Sequence, residues 1–276
     1  MNPAMNSPAT EMHGIQREWQ RFSPEQRIIR FAFYFIAVAA LVMSLRHLEF
    51  IPEFLYDAPA QIQDFFVRMW PIDKAFYARS VHEALIETLN IATLGTLLAI
   101  LLAFPVGMMA ANNLVPVTAI NYFAKLILVS SRSVNSLVWA LLFIAVFGPG
   151  ALAGTLAIGF RSIGFVGKLF GEALEEAAPG PIEALTAVGA SPASVFLKGY
   201  WPQVKPAFWS IALFRWDINV RESAVLGLVG AGGIGMAMDS AMNLFRWDQV
   251  AVVLLTIFAV VILAEILVTF IRKRVL

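Results

Sequence analysis

Charged and polar side chains interrupt a long apolar run near residue 215, and their types suit the binding of an anion. Arg215, Asn219 and Glu222 recur every three or four residues, so a helix would place them on one face. At about 1.5 Å rise per residue, Arg215 would lie roughly 13 Å beyond Pro206, near the middle of a bilayer. A charge there costs about 2.5–3.5 kcal/mol on insertion scales. Because arginine can hold an oxyanion by bidentate hydrogen bonds, we interpret Arg215 and Asn219 as part of a polar transport path. The alternative is internal pairing that only fixes helix packing.

Two earlier apolar runs contain similar side chains. Arg132, Asn135, Ser136 and Trp139 have the spacing i, i+3, i+4 and i+7, which predicts one face of a single helix. Arg161 lies inside the next run. We expect Arg132, Asn135 and Arg161 to line the same path as Arg215, with a packing role as the alternative.

Two further patterns have structural interpretations. Asp217 and Arg221 are four residues apart on another face of the same helix, which favours a structural ion pair. Gly230, Gly232 and Gly235 match the dinucleotide fingerprint G-x-G-x-x-G, but no array of strands and helices follows them. We therefore predict that these glycines, with Gly233, form a bend or a close helix crossing that is a candidate gate.

The composition indicates a membrane protein that crosses the bilayer several times. Of the 276 residues, 59% are hydrophobic and only 14% are charged, whereas soluble domains are about 25% charged. The absence of cysteine excludes disulfides and thiolate metal sites, and the three histidines lack metal-ligand spacing. No catalytic constellation is visible, so we expect a chain that is not an enzyme. We also expect no metal site and no nucleic-acid partner.

Six apolar runs predict an all-α membrane protein with about six transmembrane helices. They comprise residues 28–45, 86–108, 119–147, 152–174, 206–229 and 249–270. The second run should close at Pro105 and Gly107. In the fourth, Gly164, Gly167 and Gly171 should let neighbouring helices approach closely. Basic residues flank the first run and follow the last, so both termini are predicted to be cytoplasmic.

The runs divide the chain into three parts. Residues 1–26 form a cytoplasmic tail with a short amphipathic helix at about 15–22. Residues 27–80 hold the first span and an extracytoplasmic segment whose aromatic side chains suit one or two interfacial helices. Residues 81–276 form the core, which includes a polar loop at 172–206.

This polar loop is predicted to contain two short helices. Gly189 suits the left-handed end of the first, and Ser191 with Pro192 suits the start of the second. Pro202 should end the second helix at about Trp201. Counting spans places the loop in the cytoplasm, where it would dock on an aqueous partner; a solvated loop is the alternative.

The loop resembles the EAA loop of ABC importer permeases, which has the pattern E-A-A-x3-G-x9-I-x-L-P. Glu183, Ala184, Gly189 and Pro202 stand at matching positions. The sequence departs from the pattern at three positions, namely Leu185, Gly199 and Trp201. In that family this loop forms the helices that sit in a cleft of the ATPase subunit, so the resemblance implies the same docking role here.

A narrower resemblance covers about residue 80 to the C-terminus. The segments that carry it lie at residues 111–116, 179–183, 201–206, 214–221 and 229–235. They resemble the PhnE family, permeases of phosphonate-type importers with the type I fold. The resemblance implies a homodimer in the bacterial plasma (inner) membrane, two cytoplasmic ABC ATPase subunits that bind ATP and Mg²⁺, and one extracytoplasmic phosphonate-binding protein. This chain would hold no cofactor itself.

The resemblance implies import of a phosphonate or a related phosphorus oxyanion, by alternating access that the ATPase drives through the EAA loop. Phosphonate, phosphite, phosphate and an ester all remain open as substrates. An ABC permease for another small solute, such as methionine or a quaternary amine, is an alternative. A secondary transporter is a further alternative, although the inverted repeats of such proteins are not visible in this sequence.

Overall fold

A computed structural model of the chain describes residues 22–47 and 52–275. The amphipathic helix predicted at residues 15–22 falls almost wholly outside them. The chain divides into two compact units, residues 1–61 and 62–276. The first unit contains helix α1, Pro24–His47, which is long and apolar enough to cross a membrane. Helix α2, Pro52–Arg68, begins in this unit and ends in the second.

The second unit is a bundle of long helices with short connections. Its helices are α3 (Lys74–Phe76), α4 (His82–Ala110), α5 (Thr118–Ser133), α6 (Ser136–Phe147), α7 (Ala151–Glu175), α8 (Pro179–Ala187), α9 (Pro192–Val195), α10 (Trp201–Leu226), α11 (Ile234–Asn243) and α12 (Trp247–Val275). Within the described ranges, five helical segments could cross a membrane, or six if the bent pair α5 and α6 is one span. The predicted all-α fold with about six spans is confirmed.

Pro105 does not close the second span as predicted. It lies inside α4, which continues to Ala110. Proline removes one backbone hydrogen bond from a helix. The final turns are nevertheless held because Ala103 and Ala110 are buried in a cluster with residues of α5 and α7. The backbone of α7 also approaches Gly107 so closely that an added Cβ would lie 2.8 Å from the Gly167 carbonyl oxygen.

The third span is two helices rather than one. Helices α5 and α6 meet at an angle of 91°. Val134 and Asn135 are extended between them, and the Asn135 side chain accepts a hydrogen bond from the Leu137 N–H at 3.1 Å. Asparagine is among the best residues for starting a helix in this way. The predicted single face from Arg132 to Trp139 is therefore wrong, because a new helix begins after Asn135.

The bent pair still connects the two ends of the bundle. Near the start of α5, the Asn121 side chain donates to the carbonyl of Ala110, where α4 ends. Beyond the end of α6, the Gly150 N–H donates to the Gly230 carbonyl at 2.9 Å, just past the end of α10. Helices α4 and α10 run in opposite senses, so their C-terminal ends lie at opposite ends of the bundle. Because α5 starts near one of these ends and α6 finishes near the other, the pair makes one crossing.

The glycines of α7 allow the close packing that was predicted. An added Cβ at Gly164 would lie 2.3 Å from the Leu128 carbonyl oxygen of α5. At Gly171 it would lie 3.2 Å from the carbonyl oxygen of Gly107 in α4. Helix α7 is thus wedged between α4 and α5, and small residues let the backbones touch.

The glycine-rich segment after α10 forms the predicted bend. Gly230 has φ +90°, and Gly232 and Gly233 also have positive φ, a conformation that suits glycine. The turn brings α11 back so closely that a Cβ at Gly235 would lie 2.3 Å from the Ala224 carbonyl oxygen. No strand occurs among the residues the structure describes, so the dinucleotide fold has no basis here. The gating role of these glycines stays a prediction.

Candidate functional site

Three arginines from three different helices line one cleft of about 490 Å³. Arg132 comes from α5, Arg161 from α7 and Arg215 from α10. The residues that complete the lining are Val129, Ser133 and Phe165. The structure thus brings together the three arginines that the sequence placed on a common path, although they lie up to 83 positions apart.

Arg215 is fixed firmly in this cleft. It is 4% exposed, and its Nε donates to Ser162 Oγ at 2.8 Å. Its Nη2 donates to Glu222 Oε2 at 3.3 Å. The guanidinium carbon lies 5.5 Å from the centre of the Phe165 ring, within cation–π range. These contacts hold the planar guanidinium group of Arg215 in one orientation. A fork fixed in this way binds an oxyanion with better geometry than the flexible point charge of a lysine would.

Glu222 bridges two of the three arginines. Its Oε1 accepts from Arg161 Nη1, and its Oε2 accepts from Arg215 Nη2. The Arg161 Nε is buried and has no hydrogen-bond partner among the described residues. The predicted polar face of α10 therefore exists, and it meets α7 at Arg161.

Two asparagines of the predicted path have positioning roles in this structure. Asn219 is fully buried; its Oδ1 accepts from Ser162 Oγ at 3.1 Å and its Nδ2 donates to Thr96 Oγ1 at 2.8 Å. It thereby orients the hydroxyl that Arg215 binds. Asn135 caps α6, and the structure does not place it on the cleft lining. Contact of either asparagine with a transported solute stays a prediction.

Arg132 is exposed at the end of α5 and has no ion-pair or hydrogen-bond partner within the described ranges. The neighbouring Ser131 ties the end of α5 to α7, because its Oγ accepts from the Gly164 N–H at 3.0 Å. An unpaired arginine within a membrane span is expensive unless it faces water or an anion. Arg132 lies on the cleft, where water or an anion could reach its charge.

Arg132 also lines a second cleft of about 250 Å³. This cleft extends toward the N-terminal end of α5 and the C-terminal end of α7. This cleft contains Lys125 and Lys168, with Lys168 paired to Glu172 at 3.2 Å. Sequence reasoning missed Lys168. It lies seven residues after Arg161, so helical spacing could have placed both on one face of α7. Basic side chains, with Glu172 and Glu175 among them, thus continue from the three-arginine cleft toward the end of the bundle that holds the polar loop.

The predicted pair of Asp217 and Arg221 is present. Arg221 Nη2 donates to Asp217 Oδ2, and the Asp217 side chain is only 7% exposed. Neither residue lines the three-arginine cleft. The geometry agrees with a structural pair that lets α10 bury a carboxylate.

The polar loop contains the two predicted short helices, α8 and α9. Gly189 has φ +76° between them, and the Ser191 side chain accepts from the Ser194 N–H at 3.3 Å at the start of α9. The predicted end at Pro202 is wrong, because the helix continues from α9 through Phe196–Tyr200 into α10. Residues Phe196–Tyr200 form a widened π-type turn. This wider turn ends two residues before Pro202, in the stretch where an ordinary helix would clash with the proline ring.

The matched residues of this loop face outward. Glu183, Ala184, Gly189 and Pro202 are exposed, beside Val188 at 78% and Leu197 at 60% exposure. On the inner side, Ile182, Val195 and Phe196 pack on a buried cluster that includes Phe170 of α7 and Phe208 of α10. A force on the exposed surface would therefore reach the two helices that hold Arg161 and Arg215.

Two of the departures from the EAA pattern compensate for each other. Leu185 replaces a small alanine, and Gly199 replaces a large isoleucine. In the structure, Leu185 Cδ1 lies 3.3 Å from where a Cβ on Gly199 would stand. The larger side chain on α8 thus occupies space that the smaller residue on the widened turn leaves free.

Comparison with known proteins shows the family of this chain. The profile of the family described as binding-protein-dependent transport system inner membrane component matches residues 103–276. The phosphite transport system permease protein PtxC of Stutzerimonas stutzeri is 40% identical over 196 residues, which is 71% of each chain. The chain belongs to this family of transport permeases.

A second relative and a solved structure extend the comparison. The phosphate-import permease protein PhnE of Mycolicibacterium smegmatis is 33% identical over 248 residues, which cover 90% of this chain but 47% of the mycobacterial one. A structure titled inward facing conformations of the MetNI methionine ABC transporter superposes with a TM-score of 0.64 at 22% identity. It covers 71% of this chain and 96% of the other, so the type I permease fold is shared.

The permease is therefore a multi-pass component of the bacterial inner membrane and a transport subunit rather than an enzyme. The resemblance to the PhnE family is confirmed. Type I permeases work with ATPase subunits and with binding proteins, so this chain has partners of both kinds.

Proposed function

We propose that this permease carries a phosphorus oxyanion inward through the three-arginine cleft. The observation that carries the proposal is the convergence of Arg132, Arg161 and Arg215 on one cleft inside the membrane-spanning bundle. A fixed guanidinium fork such as that of Arg215 suits the oxygens of a phosphoryl or phosphonyl group. The named relatives, which are phosphite and phosphate permeases, support the same class of substrate.

The proposed assembly is a homodimer of this chain with two ATPase subunits and one extracytoplasmic phosphonate-binding protein. ATP and Mg²⁺ would bind to the ATPases. Arg132 is exposed, and contact with lipid would leave its charge unsolvated. This is an argument for a second copy of the chain, or a water-filled path, beside the cleft.

The packing supports a mechanical route from ATP hydrolysis to the cleft. ATPase closure would press on α8 and α9, which rest on Phe170 and Phe208. A shift of α7 against α10 would move Arg161 relative to Arg215 and change which side of the membrane the cleft faces. The two arrangements would form a two-state switch that nucleotide binding biases.

Uptake into proteoliposomes tests this function. The full complex, reconstituted with its cognate ATPase and binding protein, should accumulate labelled phosphite, phosphate or methylphosphonate when ATP is supplied. Labelled methionine should not accumulate, because the net positive charge of the cleft favours an anion over a zwitterion that carries no net charge. Uptake of methionine with no uptake of any phosphorus oxyanion would overturn the proposal.

A further inference from the structure

We propose that Glu222 is an internal counter-anion that competes with the transported oxyanion for Arg161 and Arg215. The inference rests on the proposed function. It adds a role for Glu222, an acidic residue on the polar face of α10 that an anion path does not itself require. Its basis is that one carboxylate binds two arginines of the cleft, one with each oxygen.

The geometry of this bridge resembles that of a bound oxyanion. Two oxygens on one central atom reach two guanidinium groups from different helices, as two oxygens of a phosphorus oxyanion would. Glu222 therefore satisfies the same donors that the substrate would use. Its side chain is 20% exposed, and those of Arg161 and Arg215 are 27% and 5% exposed, so little water competes for these contacts.

The charges of the cleft point the same way. The three lining arginines, together with the glutamate that pairs with two of them, give a net charge of +3 − 1 = +2. Without Glu222 the cleft would hold three cations with no carboxylate to offset them, and it would bind an anion more firmly and release it more slowly. With Glu222, Arg161 and Arg215 can return to the carboxylate when the anion leaves. Arg132, which has no partner among the described residues, would remain available for first contact.

Release is the step that this arrangement favours. Transport requires binding strong enough for entry and weak enough for exit. A tethered carboxylate that pairs again with the arginine N–H donors lowers the affinity of the empty permease for the oxyanion. The arginines themselves do not change. Glu222 thus acts on the substrate through Arg161 and Arg215 as a positioning and competing residue.

Equilibrium binding of ³²P-labelled inorganic phosphate to the detergent-solubilised complex, without binding protein, tests the proposal. Glu222→Gln should bind phosphate about tenfold or more tightly than the wild type, because a like charge is removed and charge-assisted donors are freed. Its maximal rate of ATP-driven uptake with saturating binding protein should fall, because release is slowed. Tighter binding with slower transport is a split that loss of a purely structural ion pair would not produce.

Asp217→Asn is the matched control. It removes a buried carboxylate from an ion pair in the same helix but away from the cleft, and it should leave phosphate affinity unchanged. If Glu222→Gln assembles poorly, Glu222→Asp keeps the charge but shortens the reach, and its affinity should lie between those of the wild type and the glutamine variant.

The outcomes separate this proposal from the proposed function. Phosphate affinity in Glu222→Gln or Glu222→Asp that equals or falls below the wild-type value would overturn the counter-anion role. In that case the proposed function would still stand if Arg215→Ala, which changes a cleft arginine, loses uptake. If no variant binds phosphate and Arg215→Ala transports normally, both proposals fail.

Discussion

Replacing Arg215 by alanine should lower ATP-driven uptake of the phosphorus oxyanion by about 10- to 100-fold and change assembly of the complex much less. The estimate corresponds to the loss of one charge-assisted interaction in a poorly hydrated site, about 1.5–3 kcal/mol. Arg215 is the most buried of the three arginines and is fixed by Ser162, Glu222 and Phe165. Its loss would remove an oriented fork and leave Glu222 paired with Arg161 alone.

Two further variants separate charge from geometry. Arg215→Lys keeps the charge but lacks the planar fork, so its uptake should be intermediate. The double variant Asp217→Asn with Arg221→Gln removes an ion pair of the same helix outside the cleft and should transport at close to the wild-type rate. Proteoliposome uptake, with size-exclusion chromatography as the measure of assembly, checks all three. Normal uptake by Arg215→Ala would remove this residue from the path.

Replacing Gly189 by valine should separate ATP hydrolysis from uptake. Gly189 has φ +76°, which a β-branched residue adopts only with strain of about 1–3 kcal/mol. An added Cβ there meets no atom within 4 Å, so the effect would come from the backbone of the turn rather than from a clash. A changed angle between α8 and α9 would disturb the surface that docks on the ATPase.

The matched control is Gly180→Val, since Gly180 is equally open but has no positive φ. The Gly189 variant should insert normally and lose most of its uptake, about tenfold or more, while the ATPase no longer responds to the loaded binding protein. Glu183→Trp, which enlarges the exposed face of α8, should act in the same direction. Tight coupling in both Gly189→Val and Glu183→Trp would show that this loop does not transmit the force.

Local signals in the sequence were enough to predict the spans and the loop. Length and apolar composition identify a span because a bilayer sets the number of residues needed. Gly189 and the Ser191–Pro192 pair predicted the break between α8 and α9 because their preferences depend on the local backbone alone. The polar face of α10 followed from helical spacing for the same reason.

The errors concern places where packing overrides local preference. Pro105 and Pro202 should end helices by local rules, but burial against α7 holds one and a widened turn accommodates the other. The break at Val134 and Asn135 went unpredicted because the long apolar run was read as one span, which outweighed the cap preference of a single asparagine. The local backbone shows that Asn135 caps α6, whereas contacts across helices place Arg132 on the cleft.

The partners of charged residues could not be predicted from the sequence. Nothing local indicates that Glu222 pairs with Arg161, which lies 61 positions earlier. The same holds for the fit between Leu185 and Gly199, which looked like two separate departures from a motif. Each depends on how α7, α8 and α10 pack, and spacing along one helix does not contain that information.

The central claim is that the three-arginine cleft lies on an anion path, and a single cysteine at Ser133 tests it most directly. Ser133 lines the cleft, and the natural chain has no cysteine that would compete for a thiol reagent. The Ser133→Cys complex would be treated during ATP turnover with a negatively charged sulfonatoethyl or a positively charged trimethylammonium-ethyl methanethiosulfonate, with the unsubstituted complex as the background. We predict that the anionic reagent reacts about tenfold faster, because the arginines concentrate anions. Phosphate or phosphite should slow this reaction, and complete modification should block uptake. Equal rates for the two reagents, no protection by the oxyanion, and normal uptake after complete modification would contradict the claim.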